Sequence, residues 1–244
     1  MIKLFLQSLW FNVTFYGANL VISVVLLPAL LLPRKTLVKS IRLWLSAVAW
    51  VEGHLGGIRY EVRGRDRIPQ GPILIASKHQ SEWETFKTHV LFDDPAVVLK
   101  KELLNIPLIG LYMRCSGAIP IDRGGRMKAL TSMVARAKAA VSEGRPVLIF
   151  PEGTRVAVGK TRPYKSGVAA LYSALNVPLV PMALNSGLLW SKNSFFKKRG
   201  TVTIEFLPAI EPGLPRDDMM IRLKTALDGA TERLIAEGRL KNPE

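Results

Sequence analysis

The chain has 244 residues, of which 48% are hydrophobic, and this suits one large α/β domain or a domain with an appendage. Its formal net charge of +15 favours anionic partners: nucleic acid, lipid headgroups or phosphorylated substrates. The single cysteine, Cys115, excludes an internal disulfide and a multi-cysteine zinc site, and the three scattered histidines indicate no metal site.

Residues 4–33 contain no charged side chain, whereas a membrane-spanning helix needs about 20 apolar residues. Three interpretations are open: a signal peptide, a single transmembrane helix, or a helix that enters the bilayer and returns after a break at Pro28 and Pro33. The apolar stretch is long for a signal peptide, whose apolar region has about 7–15 residues. Basic residues follow directly and would hold that end of a spanning helix in the cytoplasm: Arg34, Lys35, Lys39 and Arg42.

The next segment, LVKSIRLWLSAVAWVEG, is predicted to form an amphipathic helix with Leu43, Trp44, Ala47 and Trp50 near one face. Tryptophan prefers the membrane interface. We therefore predict membrane-associating helices over residues 1–55 and a separate α/β domain over residues 56–244.

From residue 58 onward, short β-like runs alternate with helical stretches. This alternation predicts a layered α/β fold with a largely parallel mixed sheet between helices. In such sheets ligands bind beyond the carboxyl ends of the strands. The predicted strands cover 58–63, 72–77, 96–100, 117–121, 146–150, 177–184 and 202–207, and the predicted helices cover 82–91, 107–115, 126–143, 167–175 and 216–237.

The stretch KHQSEWE follows the buried run PILIAS, which places His79 just past a strand end. Ser81 and Glu84 have the spacing of a capping box at a helix start, so Glu84 has a purely structural interpretation. The alternative is an acid–base dyad, in which the carboxylate fixes the tautomer of an imidazole that takes a proton from an alcohol. The spacing alone leaves both interpretations open.

Two further strand ends carry polar residues. In GAIPIDRGGR, Asp122 and Arg123 precede two glycines, and Arg123 is suited to bind a phosphate, although a plain turn before a helix fits equally well. In PVLIFPEGTR, a strand is followed by Glu152, Thr154 and Arg155, with more basic residues close behind. This pattern indicates an anion site or a solvated basic face.

The run VPLVPMALNSG predicts a buried strand followed by a turn at residues 185–187. Pro181 lies inside the run, which predicts a bulge or the end of the strand at that point.

Together and in this order, the four stretches resemble the glycerolipid acyltransferase family, most closely its 1-acyl-glycerol-3-phosphate acyltransferases. The matching blocks are His79…Glu84, Gly117…Asp122-Arg123, the FPEGTR block at residues 150–155, and Val180-Pro181. The resemblance covers roughly residues 58–206. It departs from the family pattern at Glu84, where the family usually has aspartate, and a glutamate carboxylate reaches farther from the backbone.

The resemblance implies transfer of a fatty acyl group from acyl-CoA or acyl-carrier protein to the 2-hydroxyl of lysophosphatidate, giving phosphatidate at a membrane. His79 and Glu84 would be catalytic, with no cofactor, no metal and no acyl-enzyme. The implied partners are lysophosphatidate, the thioester donor and membrane lipid, with the catalytic domain on the cytoplasmic face. The residues implied for phosphate and glycerol binding are Arg123, Glu152, Gly153, Thr154, Arg155, Lys100 and Lys101.

Within this family the acceptor could instead be glycerol-3-phosphate, another lysophospholipid or an acylated amino acid. A basic, non-enzymatic protein that binds membrane or nucleic acid is the alternative outside the family, but no helix-turn-helix or aromatic stacking platform is visible, so we expect no nucleic acid partner. A basic loop around Phe195 and Phe196 is a candidate for contact with anionic headgroups or a solvated loop. Its cations are Lys192, Lys197, Lys198 and Arg199.

Overall fold

The computed structural model describes residues 1–122 and 124–241. The chain begins with helix α1, Ile2–Val25, followed by a short 3-10 turn at Leu27–Leu31 and helix α2, Arg34–Val51. Pro28 lies at the start of the 3-10 turn and Pro33 precedes α2, so the predicted break at these prolines is confirmed. Proline at a helix start loses no hydrogen bond, because the first N–H groups of a helix have no internal acceptor.

The core of the fold is one seven-stranded sheet with the order β1-β7-β6-β2-β5-β3-β4. The pairing is parallel except between β6 and β7, which run antiparallel. The strands are β1 Ile58–Arg63, β2 Leu74–Ser77, β3 Ala96–Lys100, β4 Ile119–Ile121, β5 Val147–Ile149, β6 Leu179–Leu184 and β7 Gly200–Phe206. The predicted fold class, a largely parallel mixed sheet, is confirmed.

Helices cover both faces of the sheet. On one face α5, α6 and α7 pack through residues such as Met133, Leu171 and Leu227. On the other face α1 to α4 pack through residues such as Phe15 and Trp83. The helices after α2 are α3 Trp83–Leu91, α4 Ile109–Cys115, α5 Arg126–Ser142, α6 Ser166–Leu175 and α7 Arg216–Lys241.

The prediction that Pro181 marks a bulge or a strand end is wrong. Pro181 lies inside β6, opposite Ala76 of β2. Its carbonyl accepts from Leu207 N–H at 3.0 Å, one residue past the end of β7. The N–H and C=O of a strand residue point to the same side, so the missing N–H of Pro181 also lies on the β7 side. It falls at the end of the β6–β7 ladder and not in its middle, and pairing with β2 is left intact.

The prediction that Leu43, Trp44, Ala47 and Trp50 share one face of α2 is wrong for Trp44. Leu43, Ala47 and Trp50 share an exposed face, but Trp44 is buried against the domain with Ile41. One residue corresponds to about 100° around a helix, so neighbours in sequence point in different directions. The helix presents one apolar face to the domain and a second to the outside.

A buried ion pair joins the end of α2 to α3. Glu52 begins a single π turn, Glu52–Gly56, after α2. Its carboxylate accepts from Lys87 Nζ at 2.7 Å and from the indole N–H of Trp83. The side chains of Glu52 and Lys87 are both 1% exposed. Burial is the largest influence on both groups, and it raises the pKa of Glu52 and lowers the pKa of Lys87.

Two groups of predicted membrane-facing cations are partly engaged with the protein. Arg34 contacts Asp94 at 2.6 Å and Glu143 at 2.9 Å, which weakens its use as an orientation signal. Lys197 is only 3% exposed, so its prediction as a headgroup contact is wrong. Its ammonium donates to the carbonyl of Ser194 instead, because the loop folds back over it.

By length and composition, α1 is apolar enough to cross a membrane.

Candidate active site

The candidate site lies where two neighbouring strands end. β2 and β5 pair in parallel, with Ala76 opposite Ile149, so the segments that follow them leave the sheet at the same edge. His79 follows β2, and residues 150–155 follow β5. The two segments are joined directly, because Val156 N–H donates to the His79 carbonyl at 2.7 Å.

The imidazole of His79 and the carboxylate of Glu84 are in contact, with Nδ1 2.8 Å from Oε1. The same oxygen accepts from the backbone N–H of Gln80 at 2.7 Å and of Ser81 at 2.9 Å. The cap and the dyad were alternative interpretations of the sequence, and one carboxylate makes both sets of contacts. This is possible because α3 begins only at Trp83, so His79 lies in the turn and not on the helix.

The second oxygen of Glu84 is held by two hydroxyl groups. Ser81 Oγ donates to Oε2 at 3.1 Å, and Ser186 Oγ, from the turn after β6, donates to it at 2.8 Å. Burial acts to raise the pKa of Glu84, but the hydrogen bond and charge of His79, together with the donors of Ser81 and Ser186, outweigh it and hold that pKa below its ordinary value. The carboxylate beside His79 therefore stays negatively charged.

The ring of His79 is fixed on its other sides as well. It stacks on Phe150, with ring centroids 4.1 Å apart, and its backbone N–H donates to Glu152 Oε2 at 3.1 Å. Because Glu84 accepts at Nδ1, the neutral imidazole carries its proton there. Within the described part of the chain nothing hydrogen-bonds Nε2, so this nitrogen is the one available as a base.

Glu152 is the buried centre of the turn after β5. Its Oε1 accepts from Lys78 Nζ at 2.5 Å, while Oε2 accepts from His79 N–H. Lys78 also donates to Asp228 of α7 at 3.1 Å, and the same Asp228 oxygen accepts from Tyr164 at 2.8 Å. A chain of charged groups therefore ties the last helix to the backbone of the histidine turn.

Sequence reasoning did not single out Lys78, Asp228 or Ser186. Lys78 carried a usable signal, because a lysine that directly follows a fully apolar strand must find an anionic partner if it is buried. Asp228 carried none, since it is 150 residues away from Lys78 in sequence. Ser186 lies in a turn that was predicted, but its contact with Glu84 depends on the order of the strands.

A cavity of about 1240 Å³ opens beside His79 and is larger than most ligand pockets. Residues 152–155, Arg162 and Lys165 line it together with His79. Most of the remaining wall is apolar and comes from α1 to α4 and β3. It includes Leu20, Leu45, Phe86, Val97, Ile109 and Met113.

The residues predicted to bind phosphate and glycerol fall into three groups. Glu152, Gly153, Thr154, Arg155 and Lys100 all line the cavity that contains His79. Lys101 lines a separate cavity of about 500 Å³, and its Nζ lies 3.7 Å from Asp122. Arg123 lies outside the described residues.

Gly153 has a backbone reason to be glycine in this loop. Its φ is +66°, a left-handed conformation that side chains with a Cβ rarely adopt. Thr154 and Arg155 after the turn line the cavity and are partly exposed, whereas Glu152 before it is fully buried in the cavity wall.

Comparison with known proteins decides the family. A family model described as Acyltransferase matches residues 59–185, just over half of the chain. The chain belongs to the acyltransferase family. The match begins at β1 and ends at Asn185, so the His79, Glu84 and Glu152–Arg155 blocks lie within the family region.

Relatives of this chain carry more specific names. The chain is 39% identical over 167 residues to the 1-acyl-sn-glycerol-3-phosphate acyltransferase of Pseudomonas aeruginosa, covering 68% of this chain and 65% of that protein. It is 35% identical over 158 residues to 1-acyl-sn-glycerol-3-phosphate acyltransferase beta of Homo sapiens, covering 63% and 56%. The matched region thus spans about 56–65% of the length of these curated relatives.

The fold of this chain is similar to a solved structure over nearly its whole length. The crystal structure of the 1-acyl-sn-glycerophosphate (LPA) acyltransferase PlsC from Thermotoga maritima superposes with a TM-score of 0.72 at 20% identity. The superposition covers 96% of this chain and 97% of that chain. The shared architecture therefore includes the N-terminal helices as well as the sheet.

Proposed function

We propose that this protein transfers a fatty acyl group from a thioester donor, acyl-CoA or acyl-carrier protein, to the 2-hydroxyl of lysophosphatidate, giving phosphatidate. The observation that carries the proposal is the arrangement of one imidazole. His79 is held at Nδ1 by the buried, charged Glu84, and it lines a cavity that also contains Arg155 and a largely apolar wall. Such a cavity suits a molecule with an anionic head, an alcohol and a fatty chain.

His79 acts as the general base in the proposed reaction. Its Nε2 takes the proton of the 2-hydroxyl while that oxygen attacks the thioester carbonyl carbon. Glu84 stabilises the imidazolium that forms, because its negative charge is already in place at Nδ1. When the tetrahedral intermediate collapses, the carbon–sulfur bond breaks and the imidazolium proton goes to the departing sulfur. The products are phosphatidate, a free thiol and neutral His79.

The proposed phosphate contacts are the cations that share the cavity with His79. Arg155 is the first candidate, because a guanidinium can donate two parallel hydrogen bonds to a phosphate. Lys165, Arg162 and Lys100 line the same cavity. Glu152 holds the turn that presents Arg155, and its carboxylate already accepts from Lys78 and His79. Holding both substrates next to the base lowers the entropic part of the barrier.

The proposed membrane arrangement follows from the contacts of α1. Gln7 contacts the carbonyl of Lys197, Tyr16 donates to Glu82 at 2.5 Å, and Tyr112 donates to the Ser23 carbonyl at 2.7 Å. One side of α1 is therefore attached to the domain along most of the helix. A helix attached in this way cannot cross the bilayer without drawing polar protein into it, so we favour α1 lying in one leaflet. The domain would face the cytoplasm, where the thioester donors are soluble.

The test is an assay of the whole chain purified in detergent. We expect lysophosphatidate and acyl-CoA or acyl-carrier protein to yield phosphatidate and one free thiol per product. His79→Ala, shown to be folded by circular dichroism, is the control and should form neither product. Glycerol-3-phosphate and lysophosphatidylethanolamine should react more slowly as acceptors. Folded wild-type protein that makes neither phosphatidate nor thiol with any donor would contradict the proposal.

A further inference from the structure

A second exposed apolar element lies beside α1, in the loop of residues 191–199 that leads into β7. Phe195 and Phe196 at its tip are 42% and 46% exposed, and their rings are 5.7 Å apart. Phe195 also stacks on Phe5 of α1, with centroids 5.5 Å apart, and Phe5 is itself exposed. The two phenylalanines therefore continue the exposed apolar surface of α1 and do not form an isolated patch.

The loop is held firmly in this position. Lys197 N–H donates to Ser8 Oγ of α1 at 3.0 Å, and Asn12 of α1 donates to the Phe195 carbonyl at 3.0 Å. The buried Lys197 ammonium joins two parts of the loop. It donates to the Ser194 carbonyl and lies 5.0 Å from the ring centroid of Trp190. These contacts of Lys197 fix the conformation of the loop, so Phe195 and Phe196 are held in place at its tip.

The charges of the loop are all of one sign. Residues 191–199 contain no Asp or Glu, and Lys192, Lys198 and Arg199 are exposed around the two phenylalanines. Aromatic side chains flanked by cations have the composition that lies at the boundary between acyl chains and anionic headgroups. Because the apolar surface is shared with α1, a lipid surface explains both elements at once, whereas an acidic protein partner explains only the charges.

The base of the loop contacts the wall of the cavity. Trp190 is buried and donates from its indole N–H to Glu82 at 3.2 Å, and the same Glu82 oxygen accepts from Tyr16 of α1. Tyr16 and Glu82 both line the cavity that contains His79. The loop is therefore linked through Glu82 and Tyr16 to the wall of the cavity that contains His79.

We infer that the loop of residues 191–199 is a second membrane-contact element, whose occupant is the surface of an anionic phospholipid bilayer. Phe195 and Phe196 enter the interfacial layer, and Lys192, Lys198 and Arg199 face the headgroups. This inference rests on the membrane arrangement within the proposed function. Because α1 lines the cavity and the loop adjoins α1, membrane contact by both elements would bring a lysolipid in the bilayer close to the cavity that contains His79.

The first test reads the loop itself and needs no turnover. In the full chain with Cys115→Ser, Lys192→Cys is labelled with an environment-sensitive fluorophore and mixed with vesicles of phosphatidylcholine and phosphatidylglycerol. We expect a blue shift and quenching by spin labels near the headgroups. Ile221→Cys is the matched control and should not respond, because Ile221 is an exposed apolar residue of α7, which packs on the opposite face of the sheet from α1. Equal responses from the two labels, or a loop response that requires added acyl-carrier protein and no vesicle, would overturn the inference.

The second test measures vesicle binding of unlabelled variants. Phe196→Ser should weaken binding roughly tenfold, because part of an aromatic side chain no longer enters the interface. Ile221→Ser on α7, also an exposed apolar residue, is the control and should bind as wild type. Lys192→Gln should weaken binding roughly fivefold on anionic vesicles and leave binding to pure phosphatidylcholine unchanged. Wild-type binding by Phe196→Ser would overturn the inference.

The outcomes separate this inference from the proposed function. A responding loop in a protein without acyltransferase activity would leave the membrane contact standing and remove the function. Full acyltransferase activity together with a loop label that does not respond to vesicles would leave the function standing and remove the membrane contact. A rise in the KM for lysophosphatidate presented in vesicles, with unchanged turnover of detergent-dispersed lysophosphatidate, is the expected kinetic result for Phe196→Ser.

Discussion

Two buried carboxylates contact α3, and they differ in what surrounds them. Glu84, in the first turn, accepts from His79, Gln80, Ser81 and Ser186, and its pKa is lowered. Glu52 accepts from Lys87 and Trp83, and burial prevails over these partners and raises its pKa. Both side chains are 1% exposed. Burial alone therefore does not decide the pKa of a carboxylate; the hydrogen-bond donors and charges around it decide it as well.

The two sites also differ in access. The imidazole that Glu84 holds lines the large cavity, whereas Lys87 lies between the rings of Tyr60 and Trp83, 5.0 Å from each centroid. A charged pair open to a cavity can pass a proton to a substrate, and a closed pair can only hold two helices together. Changes at the two carboxylates should therefore appear in different measurements.

The largest effect is expected for Glu84→Gln. Glutamine keeps oxygen and nitrogen atoms for the capping contacts but removes the charge that stabilises the imidazolium, so turnover should fall roughly 10³–10⁴-fold. The melting temperature should change by only a few degrees, about what the loss of one charged hydrogen-bond acceptor costs. Steady-state kinetics and calorimetry check both parts. Near-wild-type turnover would leave Glu84 with a capping role alone.

Breaking the closed pair should affect stability instead. Lys87→Met leaves the Glu52 carboxylate buried without its cation, and we expect a loss of about 3–5 kcal/mol in the free energy of unfolding. Turnover per folded molecule should stay within a factor of about three, since Lys87 does not contact His79. Denaturant unfolding in detergent measures the first quantity.

The double variant Glu52→Gln, Lys87→Met is the control for this pair. Removing the second charge as well should recover more than half of the lost stability, because no uncompensated charge remains buried. A double variant as unstable as Lys87→Met would show that packing of the lysine chain, and not charge, holds α2 to α3.

A smaller kinetic effect is expected at the anion end of the cavity. Arg155→Lys keeps the charge but loses the fork of donors, so the KM for lysophosphatidate should rise roughly tenfold while kcat stays near that of the wild type. Lys160→Arg, a nearby exposed position, is the matched control and should leave both constants unchanged. An unchanged KM in Arg155→Lys would remove Arg155 from the phosphate site.

The smallest effect is a difference in pH dependence. The pKa of Glu84 is lowered from 4.5 in the folded protein, so its charge contributes stability above that pH and the contribution is lost as the pH falls below it. The pKa of Glu52 is raised, so its contribution is present below pH 4.5 and is lost as the pH rises. The stability difference between wild type and Glu84→Gln should shrink on acidification, and that for Glu52→Gln should not. Parallel curves would contradict the opposite pKa directions.

The order of elements was predictable from the sequence, and some boundaries were not. Strands 58–63 and 96–100 were predicted with the observed bounds because turn-forming or charged residues flank both segments. Helix α7 extends to Lys241, past the predicted end at residue 237. Gly238 lies where α7 packs closely on Asn185, and a Cβ there would lie 2.6 Å from the Asn185 side chain. Gly238 therefore does not end the helix but allows α7 to pack closely on Asn185.

Most residues of the candidate site could be predicted from the sequence, but the contacts between them could not. The strand-end rule brought His79 and the turn at residues 152–155 together because β2 and β5 are neighbours. The contact between His79 and Glu84 depends on where α3 begins, which spacing alone leaves open. Ser186, Lys78 and Asp228 act through pairs that are distant in sequence, and no local pattern records which distant carboxylate or hydroxyl a buried group will meet.

The wall of the cavity is partly made by α1, through Tyr16, Asn19, Leu20 and Ser23. A shortened version that lacks this helix, made to obtain a water-soluble catalyst, would therefore lose more than its attachment. Water would enter the cavity, and its hydration of the cations would weaken their attraction for the phosphate of the proposed substrate. The proposed thioester donor would also meet water as a competing acceptor. In the proposed arrangement, the helix that contacts the membrane is also part of the wall that encloses the substrates.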